Sequence, residues 1–389
     1  MRIAFVADRY LDPSRLGSWS GTSLFIKNCL ESAGCELVHI ACARESRLPQ
    51  RWVRFLYWRV AHGMRYLRDR DTAMLQDRAR RTRQRLRGAK VDAVFSPSTI
   101  PLAYLDTNVP TVFWTDASFA GMLNFYPFFA NLAPLSIDEG HALERWVLGR
   151  CSLAIYSSDW AAQTALASYP IKPNRLAVVP FGANLERTPT SEEIEGIIQS
   201  RDPACCRLLF VGVDWERKGA EIAVEAAEAL TGAGVRVHLN IVGCLPPSNR
   251  RLPPYVKVHG FLSKATPEGR QQIDSLFRKS HFFILPSRAE CFGVVFCEAN
   301  AYALPCLATN VGGIPSVIME GRNGKLFDVQ ASGHDYAACI ATLMDPKRYH
   351  ALALAAFEES RSRLSWKVSG IKIIELLRQR FAISQDAYE

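Results

Sequence analysis

The sequence predicts an α/β protein made of two parallel-sheet domains, and three observations carry that reading. Apolar runs of strand length (RIAFVA, ELVHIA, TVFWT, RLLFVGV, HFFILP) end in turns that feed helical patterns, the order that builds doubly wound sheets. A chain of 389 residues with 48% hydrophobic content has room for two substantial cores. Between the two sets of strands, the polar stretch ERTPTSEEIEGIIQSRDPA reads as a boundary near residues 185 to 203. The expected division is 1–190, 191–365 and a C-terminal helix over 366–389.

Residues 2–7 are expected to form the first strand and not a signal peptide, because the apolar stretch is short and runs into Asp8 and Arg9. No run of 18 uncharged apolar residues is present, so no membrane span is expected. Eleven scattered cysteines with no C-x-x-C read as reduced thiols, mostly buried, in a cytoplasmic protein.

After the first strand comes a loop that feeds a helix, with Gly21 and Thr22 near its start and Gly34 at its end. The spacing of Gly17 and Gly21 is not that of a dinucleotide fingerprint, and the next strand lacks an acidic end. No nicotinamide or flavin cofactor is expected.

Residues 51–90 hold 13 Lys or Arg against 3 Asp, a local +10 in a chain of net +9. Trp52, Phe55, Leu56, Tyr57, Trp58, Met64 and Leu67 interleave with the arginines, the composition of a basic amphipathic helix. The stretch is expected to meet an anionic membrane surface, on the inner face of the cell membrane, or an anionic acceptor; a solvated helix face is the plain alternative. Its D-R-D at 69–71 lies inside the arginine-rich run and is not read as a metal site. With no recognised reader motif, nucleic acid is not expected as a partner.

Further on, VDAVFSPS and TVFWTD restore the α/β pattern, and Asp116 ends the second of these strands where open sheets place ligand-facing groups. A strand-end Asp is equally an ordinary helix N-cap. The aromatic run FAGMLNFYPFFANL behind it reads as core packing.

The most informative stretch is PSRAECFGVVFCEANAYALPCLATNVGGIPSVIME, residues 286–320. It reads as a strand end, a loop with Glu290, Phe292 and Gly293, a short helix carrying Glu298, a strand, and a second turn at Gly312–Gly313. Backbone N–H groups at the helix start, approachable over Gly293, suit a phosphate. Glu298 lies five residues past Gly293, roughly 7 Å along the helix axis. Two carboxylates flanking a bound pyrophosphate could each accept hydrogen bonds from sugar hydroxyls.

This pattern resembles the signature of the family 4 glycosyltransferases, retaining enzymes of the GT-B fold: P-S-x-x-E-x-F-G-x-x-x-x-E-A, then G-x-P and a V-G-G turn. Leu304 stands where the family usually has Gly before the proline. The resemblance implies two Rossmann-like domains facing across a central cleft, the first on the acceptor side and the second binding a nucleotide sugar. It implies a metal-independent transfer of sugar from a nucleotide-diphosphate sugar to an acceptor hydroxyl, with no cofactor. Glu290 would orient the transferred sugar and Glu298 the ribose, with Phe292, Gly293 and Val294 at the donor. Lys218 would meet the diphosphate. Where the family has Arg, this chain has Val213, and Arg217 is the candidate replacement. Gly243 and the turn Phe261–Ser263 would hold the base through backbone groups, Gly21 and Thr22 would face the donor, and Asp116 the acceptor hydroxyl. A nucleotide-sugar epimerase and a non-catalytic nucleotide-sugar-binding protein are the alternative functions.

Overall fold

Short runs of β-branched and aromatic residues, covered on both faces, make two six-stranded parallel sheets. In the computed structural model, which describes residues 1–8, 18–41 and 49–381, the first sheet contains β1 (Arg2–Ala7), β2 (Glu36–Ala41), β3 (Ala93–Ser96), β4 (Thr111–Thr115), β5 (Leu153–Tyr156) and β6 (Leu176–Val178). Its order is β2-β1-β3-β4-β5-β6. The second contains β7 (Cys206–Val211), β8 (Val237–Val242), β9 (Val256–Val258), β10 (Phe282–Leu285), β11 (Cys306–Thr309) and β12 (Gly324–Phe327), in the order β12-β11-β10-β7-β8-β9. Every strand pair is parallel. Such strands read as continuous apolar runs because helices cover both faces; the four residues of β10, Phe-Phe-Ile-Leu, are all fully buried.

The chain divides into two units, one of Met1–Val179 plus the chain from Ser369 onward, the other of Pro180–Val368. The division falls between Val179 and Pro180, earlier than the polar stretch suggested. Inside the second unit, Phe181 stacks on Trp366 (5.6 Å between ring centroids) and meets Phe292 edge-on. From Ser369 the last helix, Trp366–Phe381, belongs to the first unit.

Topology fixes where ligands can be met. In each sheet the chain first builds outward on one side and then returns to the other, so the strand order reverses between β1 and β3 and between β7 and β10. Loops that leave adjacent strands in opposite directions open a crevice at the strands' carboxyl ends.

One expectation is corrected. The basic stretch 51–90 is not a single amphipathic helix. The helix Pro49–Leu56 runs into one π turn, Tyr57–Ala61, and Gly63 then adopts a left-handed conformation (φ +64°). The extended chain that follows pairs Arg65 with the loop at Asn131 and Ala133, and a second helix, Thr72–Leu86, starts at Asp71, whose carboxylate accepts from the Met74 N–H. Asp69 pairs with Arg70, so the D-R-D serves arginine pairing and helix capping. Of the aromatic run behind β4, Phe119 and Leu132 are buried in a small cluster with Leu67, as core packing requires, whereas Phe128 is exposed.

Candidate active site

In the second unit, two loops at the β7/β10 reversal are locked together. After β7 the turn Asp214–Gly219 is held by the Asp214 carboxylate, which accepts from the Arg217 N–H at 3.0 Å. Gly219 is left-handed and caps the helix Ala220–Gly232; a Cβ there would lie 2.1 Å from the Pro286 carbonyl oxygen. Only glycine allows the two loops to approach this closely. The Arg288 N–H donates to the Arg217 carbonyl at 2.8 Å, and the Arg217 guanidinium donates to the Ala289 carbonyl at 3.0 Å. The result is an ion pair between Lys218 and Glu290, each side chain only 11% exposed.

Glu290 is anchored from a third strand end, since its carbonyl accepts the Gly313 N–H of the loop after β11 at 3.0 Å. Gly293, left-handed at φ +86°, caps the short helix Val294–Ala301, and no side chain caps that end. A Cβ at Gly293 would fall 2.6 Å from the Phe296 ring, so the glycine is needed for the turn. The positive end of a helix without a side-chain cap thus stands beside a lysine–glutamate pair, an arrangement suited to a diphosphate and a polyhydroxylated group.

The other expected donor residues are placed differently. Val294 is half-buried at the first helical position, and the Phe292 side chain is fully buried against Phe181. Only the backbone of Phe292 can therefore meet a ligand. Glu298 is 3% exposed; its carboxylate takes hydrogen bonds from the Asn184 N–H and the Lys264 ammonium. Burial pushes this carboxyl up from its ordinary value, while Lys264 and Asn184 pull it down. The Asn184 side chain in turn accepts from the Trp366 indole at 3.2 Å. Sequence reasoning missed Lys264 and Asn184, because a single lysine after a turn and an asparagine beside the unit boundary carry no local pattern. Gly243, just past β8, donates to the Gly260 carbonyl at 2.8 Å, tying its loop to the turn in which Phe261 is 73% exposed. Val213, where the family has Arg, points to solvent, and the Arg217 guanidinium lies one residue from Glu290 while tethering Ala289.

In the first unit, Asp116 follows β4 and accepts from the Trp19 indole at 3.2 Å. It does not cap the helix behind it; Ser118 does, accepting from the Gly121 N–H. Trp19, Ser20 and Gly21 are three consecutive residues with positive φ, and they lead into the helix Thr22–Ser32, whose first residue is buried. Non-glycine residues in that region are strained and gather where a loop faces a ligand. Gly17 lies outside the described residues. Near the ends of β3 and β5, Glu144 is buried, accepts the Thr99 hydroxyl at 2.5 Å, and is pushed up to about 6, chiefly by burial.

Two parallel sheets whose strand orders reverse at their first strands, with a lysine–glutamate pair and a helix N-terminus at one reversal, define a doubly wound two-domain α/β protein. Profiles described as "Glycosyltransferase Family 4" and "Glycosyl transferases group 1" match residues 25–187 and 205–345, and the chain belongs to the family 4 glycosyltransferases. It is similar to D-inositol 3-phosphate glycosyltransferases of Rhodococcus opacus (strain B4), 26% identical over 60% of this chain and 55% of that one, and of Paenarthrobacter aurescens (strain TC1), 29% identical over 54% and 53%. The chain thus spans about half the length of these relatives. Among solved structures it resembles sucrose-phosphate synthase from Thermosynechococcus elongatus (TM-score 0.72, 18% identity, 99% of this chain and 100% of that one). The Anabaena protein HepE in complex with UDP is also similar (TM-score 0.65, 16% identity, 97% and 100%). These structures share the GT-B fold, an α/β architecture of two parallel sheets with helices.

Proposed function

We propose that the protein is a retaining, metal-independent glycosyltransferase that moves a sugar from a nucleotide-diphosphate sugar to an acceptor hydroxyl. The observation that carries this is the buried Lys218–Glu290 pair at the β7/β10 reversal, beside the helix that starts at Gly293. When the donor binds, the Lys218 ammonium exchanges Glu290 for the diphosphate, and the freed carboxylate accepts from the sugar hydroxyls. The bond from the anomeric carbon to the phosphate oxygen breaks while the acceptor oxygen bonds on the same face, and the departing diphosphate takes the acceptor proton. Lys218 and the helix N-terminus stabilise the leaving charge, with Arg217 holding the loop on which Glu290 stands. Because these cations supply the stabilisation, no metal is needed. Glu298 reaches the ribose only after Lys264 withdraws, and Asp116 holds the acceptor hydroxyl. The basic stretch 51–90 brings the first unit to an anionic surface or an anionic acceptor.

The names of the similar proteins suggest UDP-sugars as first donors to try and phosphorylated polyols as first acceptors. A thermal-shift panel of nucleotide sugars tests the donor, since a ligand at 100 times its Kd adds about 2.7 kcal/mol. Proton NMR of the first product formed then reads the anomer, which retention requires to match the donor's. Absence of any shift across UDP-, GDP- and ADP-sugars overturns the reading. The exposed Val213 favours one rival, a nucleotide-sugar-binding protein without turnover; binding with no transfer to any acceptor would support it.

A further inference from the structure

We infer that the outward face of the helix Pro49–Leu56 and its π turn inserts into the headgroup layer of an anionic bilayer. This rests on the proposed role of the basic stretch, and it names both the contact face and its occupant. Trp52, Val53, Leu56, Tyr57 and Val60 are 52 to 76% exposed. Their spacing, i, i+1, i+4, i+5, i+8, places them on one side of a helix. Arg54, Phe55 and Trp58 occupy the opposite, partly buried side, where the Arg54 guanidinium pairs with Asp71 at 3.1 Å and Glu139 at 3.6 Å. A helix on a water-facing surface ordinarily turns its apolar stripe inward; this one turns it outward.

The charge around the stripe has one sign. No Asp or Glu occurs from 52 to 68, whereas Arg54, Arg59, Arg65 and Arg68 do. The Arg68 guanidinium lies over the Trp52 and Phe55 rings, at 5.2 and 4.9 Å from their centroids. Arg65 lies 4.8 Å over the exposed Phe128, on the loop that Asn131 ties to the Gly63 carbonyl. Aromatic rings with guanidinium groups over their faces suit the boundary between lipid phosphates and acyl chains. A second copy of the chain is a poor occupant, because the same face would set arginines against arginines with no acid between them.

The arginine-rich helix Thr72–Leu86 plays a different part. Met74, Leu75, Ala79 and Leu86 bury its apolar face, and Arg78 is buried 3.8 Å from Asp8. Outside, Arg80 and Arg81 pair with Asp77 and Arg83 with Asp106. This helix has charge to attract a membrane and no apolar side to enter it.

Co-sedimentation with phosphatidylglycerol-containing vesicles, against phosphatidylcholine alone, tests the inference on the full chain. Wild type should bind the anionic vesicles, less so as salt rises. Leu56→Asp with Val60→Asp should lower partitioning at least about tenfold, since the stripe loses two apolar side chains and gains two negative charges against anionic lipid. Gln at Arg80, Arg81, Arg83, Arg85 and Arg87 together should lower it less than about threefold, for long-range attraction only. Thermal midpoints of each variant, with and without UDP, report the fold and the donor site separately. A variant that keeps its UDP response but loses vesicles therefore bears on docking and not on transfer. Three results overturn the inference: wild type ignores anionic vesicles at low salt; the arginine variant loses binding while the Asp variant keeps it; or wild type is a dimer that the Asp variant dissociates.

Discussion

The strand ends of the two units are built by different means. In the second unit, each member of the pair at the reversal stands in a loop shaped by residues a few positions away, Asp214 and Gly219 around Lys218 and Gly293 around Glu290, and the Arg217–Ala289 and Gly313–Glu290 bonds then join the loops. In the first unit, the acids near the strand ends are met by partners far along the chain. Trp19 reaches Asp116 and Thr99 reaches Glu144, while Arg70 lies over the rings of Phe119 and Phe129. Short-range placement leaves a motif in the sequence and long-range placement leaves none.

The comparison can be broken by removing charges from each side. Lys218→Ala strands a carboxylate that is nine-tenths buried and should cost about 3 kcal/mol in denaturant unfolding, whereas Lys218→Met with Glu290→Gln should cost clearly less. An equal loss in both variants would mean that the two side chains are not coupled. Glu144→Gln tests the first unit. A carboxyl whose pKa rises on folding from 4.5 to about 6 carries a penalty absent below the lower value and complete above the upper one. The substitution should therefore stabilise by up to about 2 kcal/mol at pH 8 and hardly at all at pH 4.5. A gain that does not grow with pH would show that Glu144 is not held as a costly buried charge. Glu298→Ala should raise KM roughly tenfold with kcat nearly unchanged, the mark of a contact made equally in ground and transition states. A collapse of kcat at constant KM would reverse the roles of the two glutamates. The smallest effect is expected of EDTA, which should leave turnover unchanged; strict dependence on added Mg²⁺ would contradict stabilisation by Lys218 and the helix alone.

Both sheets were readable because parallel strands covered on two faces are apolar without interruption and end at glycine turns. Residues 286–320 were readable as loop, short helix, strand and glycine turn for the same local reason. What escaped was set by tertiary packing. The stretch 51–90 has the composition of one helix, yet Gly63 and the pairing of Arg65 with the loop at Asn131 divide it. Phe292 resembled a ligand contact and is a packing residue, because only folding brings Phe181 against it. Lys264 lies 34 residues from Glu298 and was invisible as its partner.

The central claim is that Lys218 stabilises charge that develops as the diphosphate leaves, and its most direct test is the rate of sugar transfer by Lys218→Met at saturating donor. The fraction of folded protein is fixed in parallel by thermal melting. The account predicts a kcat lower by roughly 10² to 10³ with the UDP-sugar affinity reduced far less, as for loss of one group acting in the transition state. Near-normal turnover by the folded variant would contradict it.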